Sequence, residues 1–215
     1  MAGSDWMRFF PPRTFASPPR RRCCGVPVLT TLLLLLVGQL TASAADEPKN
    51  ILMIAGRPSH GFGSHEHYAG LKVLAETLAA NEPQPKVQVV RGWPEDAKLI
   101  EAADTIVIYA DGGAGHLALP HLEALSKKLD AGCGLVCLHY AVEVPKGEPG
   151  EAWLKYLGGY FETHWSVNPH WRAHFETLPE HAITRGVEPF SLQDEWYFHM
   201  RFTQTPGVTP ILQAV

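Results

Sequence analysis

Cysteine, basic charge and long apolar runs are all scarce in this 215-residue chain, and each scarcity removes a class of function. Two of the 4 cysteines, Cys23 and Cys24, lie near the N-terminus, which leaves Cys133 and Cys137 for the remainder. In a strand those two would stand roughly 13 Å apart, beyond the reach of a disulfide. The fold must then rest on an apolar core and not on cross-links. Five cations (Arg8, Arg13, Arg20, Arg21, Arg22) and one acid, Asp5, fall in the first 45 residues, so residues 46–215 hold 13 Lys and Arg against 21 Asp and Glu. That balance offers no basic patch to nucleic acid or to an anionic membrane surface. The apolar run from Leu32 to Val37 is far shorter than the roughly 20 residues of a spanning helix.

The first 45 residues instead have the layout of an export signal. Arg13 and Arg20-Arg21-Arg22 form a basic region, the apolar run follows, and Ala42-Ser43-Ala44 or Ser43-Ala44-Ala45 supplies a small-residue cleavage site. The apolar pair expected after a twin-arginine motif is missing, and no lipobox cysteine sits near the cleavage point. An uncleaved amphipathic anchor is the competing reading. A bacterial signal peptide over 1–45 implies a periplasmic or extracellular protein that leaves the membrane once the signal is removed. Residues 46–215 suit one domain with a sizeable core.

Within that domain, short apolar runs alternate with helical patterns. Asn50 to Ala55, Lys86 to Val90, Asp104 to Ala110 and Leu135 to Leu138 read as strands, the last as one buried on both faces. Helices are expected from about His65 with Ser64 as its cap, over Glu95–Glu101, over Pro120–Ala131 with Gly132 as its stop, and over Glu151–Leu157. This order means βαβ units and a mainly parallel sheet, an α/β fold. Further on, Trp171–Phe175 and Leu192–Phe198 alternate like strands, and Thr209–Val215 starts another.

All 11 histidines lie in residues 46–215, and several fall where ligands bind in open α/β folds, at the carboxyl ends of strands. Ser59-His60 and His65-Glu66-His67 follow the first strand, Asp111-Gly112-Gly113 the third, and His139 and Glu143 the fourth. A lone histidine is more often structural; their clustering at one rim favours a site. His65 and His67 would lie roughly 200° apart on a helix, so both face one metal only where the turn is not helical. A divalent metal such as zinc held by His60, His65, His67 or Glu66 is one expectation. Trp165, Asn168 and His170 suit stacking on a sugar ring and hydrogen bonds to its hydroxyls, with a packed loop as the alternative. Asp194 and Glu195 should point to opposite faces of a strand, placing Glu195, Tyr197, His199 and Arg201 on one side. An ion pair of Glu195 with Arg201 is the structural alternative there.

Ala55-Gly56-Arg57-Pro58-Ser59-His60, Gly134 to Tyr140, Leu157-Gly158-Gly159, His181 to Val187 and Asp194-Glu195-Trp196-Tyr197 together resemble the ThuA-like, trehalose-utilisation family. The resemblance implies a flavodoxin-like three-layer sandwich of the class I glutamine amidotransferase-like type, and a role in carbohydrate metabolism. This chain departs from the family pattern at His181-Ala182, where relatives read His-Pro. Relatives also run on past Val215 to a further strand and a Gly-His element, so a C-terminally incomplete domain is an expectation. The fold parent keeps a nucleophilic cysteine at the elbow after the fourth strand; here His139 stands there, and Cys137 lies inside the strand. Glutamine hydrolysis is therefore not expected. The sequence points to an enzyme acting on a small sugar or keto-sugar, with His139 central, Glu195 or Asp194 as carboxylate partner and His60 as a further polar wall. Tyr197, His170, Trp165, Asn168, Glu143, His199 and Arg201 would contact substrate. A non-catalytic carbohydrate-binding or scaffold module and a metal-dependent hydrolase are the alternatives, and a homo-oligomer is compatible with each.

Overall fold

Asn50–Ala55 (β1) is apolar from Ile51 to its end, and it takes the central place its composition demands. It pairs in parallel with Lys86–Arg91 (β2) on one side and with Thr105–Tyr109 (β3) on the other. Gly134–Leu138 (β4) adds in parallel to β3, giving the order β2-β1-β3-β4. The computed structural model describes residues 47–81, 85–204 and 207–213. The expected export signal over 1–45 lies outside the described residues.

Alternation along the strands splits the core between two faces. Leu52, Ile54, Ile106 and Ile108 pack with Ile100, Leu125 and Trp153, which lie on helices Ala97–Ala102 (α2), Leu122–Asp130 (α3) and Glu148–Leu157 (α4). Met53, Ala55 and Val107 pack on the other face with Leu71, from helix His67–Asn81 (α1). Helices thus cover both faces of a parallel sheet, the three-layer α/β arrangement of flavodoxin-like folds.

Local chemistry sets the helix ends. Asp96 caps α2 by accepting from Lys98 N at 3.0 Å. Pro149, in the first turn of α4, favours a start at Glu148, three residues before the expected one. Gly158 ends the same helix with φ 77. Helix α1 begins at His67 and not at His65, because His65 is held in an isolated bridge with Ser59; Ser64 is not its cap.

Beyond β4 the chain makes a 3-10 turn, His139–Val142, and a short strand Glu143–Val144 (β5). β5 pairs in parallel with Gly159–Glu162 (β6), which pairs antiparallel with Arg201–Phe202 (β9). His170–Phe175 (β7) and Phe190–Glu195 (β8) form an antiparallel pair.

Three expectations are corrected. β4 is an edge strand among the described residues, with Val136 41 % exposed, so it is not buried on both faces. The strand expected over Leu192–Phe198 ends at Glu195, and His199 takes φ 58, so the alternation that put His199 and Arg201 beside Glu195 breaks. No strand forms over Thr209–Gln213; the last two residues lie outside the described ones.

Two buried groups show what holds the layers together. The Trp153 indole is fully buried and donates to Ala141 O at 3.1 Å. His116 is buried beside it, donating from Nε2 to the same carbonyl and accepting at Nδ1 from Ala118 N, each at 3.1 Å. Those partners require the neutral ring, and burial pushes its pKa down to about 4. Trp153→Ala should cost about 3–5 kcal/mol in urea unfolding, the range for deleting a buried large aromatic. His116 titrates near 6.5 in the unfolded chain and near 4 in the folded one, so only the unfolded state gains a proton between these values. Stability should therefore fall as pH drops through that window, by on the order of 3 kcal/mol, and His116→Phe should flatten the slope.

Candidate functional site

Strands β1, β3 and β4 end at one edge of the sheet, and the side chains that follow them meet there. The order β2-β1-β3-β4 reverses direction between β1 and β3, the switch point where such sheets bind ligands. The segment after β1 supplies Ser59, His60, His65 and His67; Asp111 follows β3; His139 and Tyr140 follow β4. Packing forces the approach. A side chain at Gly112 would run into Tyr140 O and the Glu143 backbone, so the loop after β3 lies directly on the turn after β4. His60 and His139 both have left-handed backbones, φ 59 and φ 56. Non-glycine residues hold that conformation at a cost of order 1–3 kcal/mol, which surrounding contacts must offset.

Asp111 Oδ1 is the hub. It accepts from Ser59 Oγ at 2.9 Å and lies 3.1 Å from His65 Nδ1. Ser59 Oγ is also 3.0 Å from Nδ1 of both His60 and His65. A carboxylate accepts only, so His65 carries its proton on Nδ1 and its Nε2 is bare. That Nε2 lies 3.2 Å from His139 Nε2, which must then be the donor. His139 Nδ1 is left as acceptor for the Tyr197 hydroxyl at 2.8 Å. The result is one directional chain: Tyr197 to His139, His139 to His65, His65 to Asp111.

Electrostatics agree with neutral imidazole at His139. Partial burial, with His65 adding to it, pushes His139 below the usual value against the pull of Glu195. Burial pushes the Asp111 carboxyl up, but the hydrogen bonds from Ser59 and His65 and the nearby imidazoles outweigh it and hold it below the usual range. On the other side of His139, Asn168 Nδ2 donates to both Tyr140 OH and Glu195 Oε1. Burial, a hydrogen bond to Glu195 and the charges of Glu195 and Glu143 push Tyr140 up to about 12. Burial, with the same two carboxylates, raises Tyr197 as well. Both phenols keep their protons at neutral pH and act as donors.

The cluster gathers His139, His60, His65, His67, Tyr197, Asn168 and Glu195, with Glu143 next to Tyr140. It does not gather the other candidates. Asp194 is exposed and accepts from Glu195 N at 2.8 Å, the opposite-face arrangement expected of adjacent strand residues. Glu66 Oε1 accepts from Gly63 N at 3.3 Å, away from the three histidines. His170 is exposed and stands opposite Glu195 in the β7–β8 ladder. Trp165, His199 and Arg201 form a group of their own: the Arg201 guanidinium lies 4.3 Å over the Trp165 ring, and the Trp165 and His199 rings are 5.9 Å apart. Arg201 pairs with Glu162 at 2.8 Å and not with Glu195. Asp111, Ser59 and Tyr140 are the contributors that had been assigned no role. The signal was available for Asp111, a carboxylate directly after a buried parallel strand.

Cys137 has no part in this cluster, and burial pushes its thiol up to about 12. Cys133 and Cys137 are both free thiols.

Comparison with known proteins places the chain in a family. A crystal structure of a protein described as ThuA-like, from Bacteroides uniformis, superposes with a TM-score of 0.50 at 18 % identity, over 73 % of this chain and 64 % of that one. This chain thus spans less than two thirds of that neighbour, and at such identity the likeness speaks for the fold. No curated protein matches the chain. The sequence profile of the ThuA family, described as trehalose utilisation, matches residues 50–215. With the profile spanning most of its length, the chain belongs to the ThuA family.

Proposed function

We propose that this protein is an exported enzyme of carbohydrate metabolism that moves a proton on a sugar or keto-sugar, with His139 as acid and base. The observation that carries this reading is the hydrogen-bonded chain from Tyr197 through His139 and His65 to Asp111. A neutral imidazole can take and return a proton near pH 7. A hydroxyl or acidified C–H of a substrate that displaces Tyr197 from His139 Nδ1 meets a lone pair there. Asp111, through His65, stabilises the positive charge that His139 gains when it accepts. The displaced Tyr197 hydroxyl, still protonated, is free to donate to a substrate oxygen, while Asn168 and Glu195 hold Tyr140 in the wall beside it. Polyhydroxylated molecules suit a wall of phenol, amide and carboxylate groups, and the family's description points the same way. The raised thiol of Cys137 argues against a thioester mechanism.

Turnover should be sought by screening disaccharides and their keto derivatives against the protein. His139→Ala should lower kcat/KM by at least a hundredfold while the circular dichroism spectrum and melting temperature stay near wild type; full activity in that variant would refute the reading. The base form of His139 prevails above its lowered pKa, so kcat/KM should rise with pH along a limb below 6.5 and level off by neutrality. Sugar binding that survives loss of His139 but disappears in Trp165→Ala would instead favour a non-catalytic carbohydrate-binding module.

A further inference from the structure

His67 lies outside the hydrogen-bonded chain, and no part of that chain explains it. It is fully buried, at 0 % exposure, and its Nε2 has no hydrogen-bond partner. Its Nδ1 lies 2.8 Å from Arg57 O, an acceptor, so the ring proton belongs on Nδ1 and Nε2 carries a bare lone pair. That lone pair faces Asp111 Oδ1 at 3.7 Å. Nε2 is buried and unpaired, and the carboxylate oxygen nearest to it, on a half-exposed side chain, is too far away to bond it directly. A cation between the two atoms would bond both.

More donors surround the same point. His60, His65 and Asp111 each present one ligand atom, and these three atoms lie within 4.8 Å of one another. Ligand atoms bonded to zinc at about 2.0–2.2 Å sit a little over 3 Å apart, so small side-chain adjustments suffice. The surroundings also have the form of a metal site. A ligating histidine typically donates its second ring N–H to a carbonyl or carboxylate, as His67 does to Arg57 O, and a ligating carboxylate is itself hydrogen-bonded, as Asp111 is by Ser59. The condition that a non-helical turn must separate His65 from His67 is met, since His65 precedes α1 in an isolated bridge and their ring centroids are 5.6 Å apart.

We infer that His60, His65, His67 and Asp111 bind one first-row divalent cation, with zinc the best match to three imidazoles and one carboxylate. Binding through His65 Nδ1 moves that ring's proton to Nε2. His65 then donates to His139 Nε2, and His139 Nδ1 turns from acceptor to donor toward Tyr197. Metal occupancy therefore selects which nitrogen of His139 holds the proton. The His139 Nδ1 lone pair that the proposed proton transfer uses then exists only in the metal-free form, so this inference does not rest on the catalytic reading.

The test is metal content and titration of the full chain without substrate. Protein stripped with chelator and titrated with Zn2+ should take up one equivalent, and Co2+ in its place should give intense visible absorption of a four- or five-coordinate site. His60 is exposed, so His60→Ala should keep the fold and weaken Zn2+ binding at least tenfold. Asp111→Asn and His67→Gln should weaken it further, and His174→Ala, a histidine on β7, should bind as wild type does. Less than a tenth of an equivalent in wild type, or equal binding by the His60, Asp111 and wild-type proteins, would overturn the inference. Turnover that depends on His139 in protein that binds no metal would sink this inference alone. One equivalent bound, with no sugar turned over, would uphold it and sink the catalytic reading.

Discussion

One carboxylate oxygen, Asp111 Oδ1, joins segments that the chain order keeps apart. It ties the loop after β3 to Ser59 and His65 in the segment after β1, and through His65 to His139 after β4. The rest of the site leans on that oxygen. It fixes the tautomer of His65, which fixes His139, which fixes the direction in which Tyr197 points. Remove the negative charge and each imidazole loses the reason for its orientation. The charge is retained because Ser59 and His65 hydrogen-bond it, and its pKa lies below the usual carboxylate range.

The sheet makes this meeting unavoidable. Three parallel neighbours, β1, β3 and β4, end at the same edge, and the reversal of direction between β1 and β3 opens the crevice there. Two buried layers, one built on Leu71 and one on Leu125 and Trp153, hold the strands in register. Glycine at position 112 lets the loop after β3 approach the 140–143 turn without a side chain between them. Left-handed His60 and His139 are the local strain this geometry requires, and the hydrogen bonds that each ring makes help to hold it. Strain gathered at strand ends beside polar side chains is what a binding or catalytic site stores.

Much of the frame could be read from the chain alone. The apolar runs at Asn50–Ala55 and Thr105–Tyr109 are parallel strands because nothing else buries such segments on both faces, and the helical spacing between strands demanded crossovers. Family membership followed from several weak motifs in a fixed order. Other features were not legible, each for a physical reason. The exposure of β4 depends on which strand lies beside it, and that is tertiary information. β8 ends at Glu195, opposite the first residue of β7, and the left-handed His199 further on, which β-propensity does not foresee, breaks the alternation; Arg201 pairs with Glu162. The non-helical placement of His65 is due to a bridge with Ser59, a contact across six residues that helical periodicity cannot show. Asp111 was visible as a strand-end residue, yet its role appears only once the three loops are seen together.

The dependence of His139 on Asp111 can be measured directly. Two-bond 1H–15N spectra of metal-free protein report the protonation and tautomer of each imidazole across pH. His139 is expected to titrate below the ordinary imidazole value, with its proton on Nε2 when neutral, and both properties should change when Asp111 is replaced by Asn. If His139 titrates at the ordinary value, or its tautomer and pKa are the same with and without the Asp111 charge, the linked chain does not exist and the site described here fails.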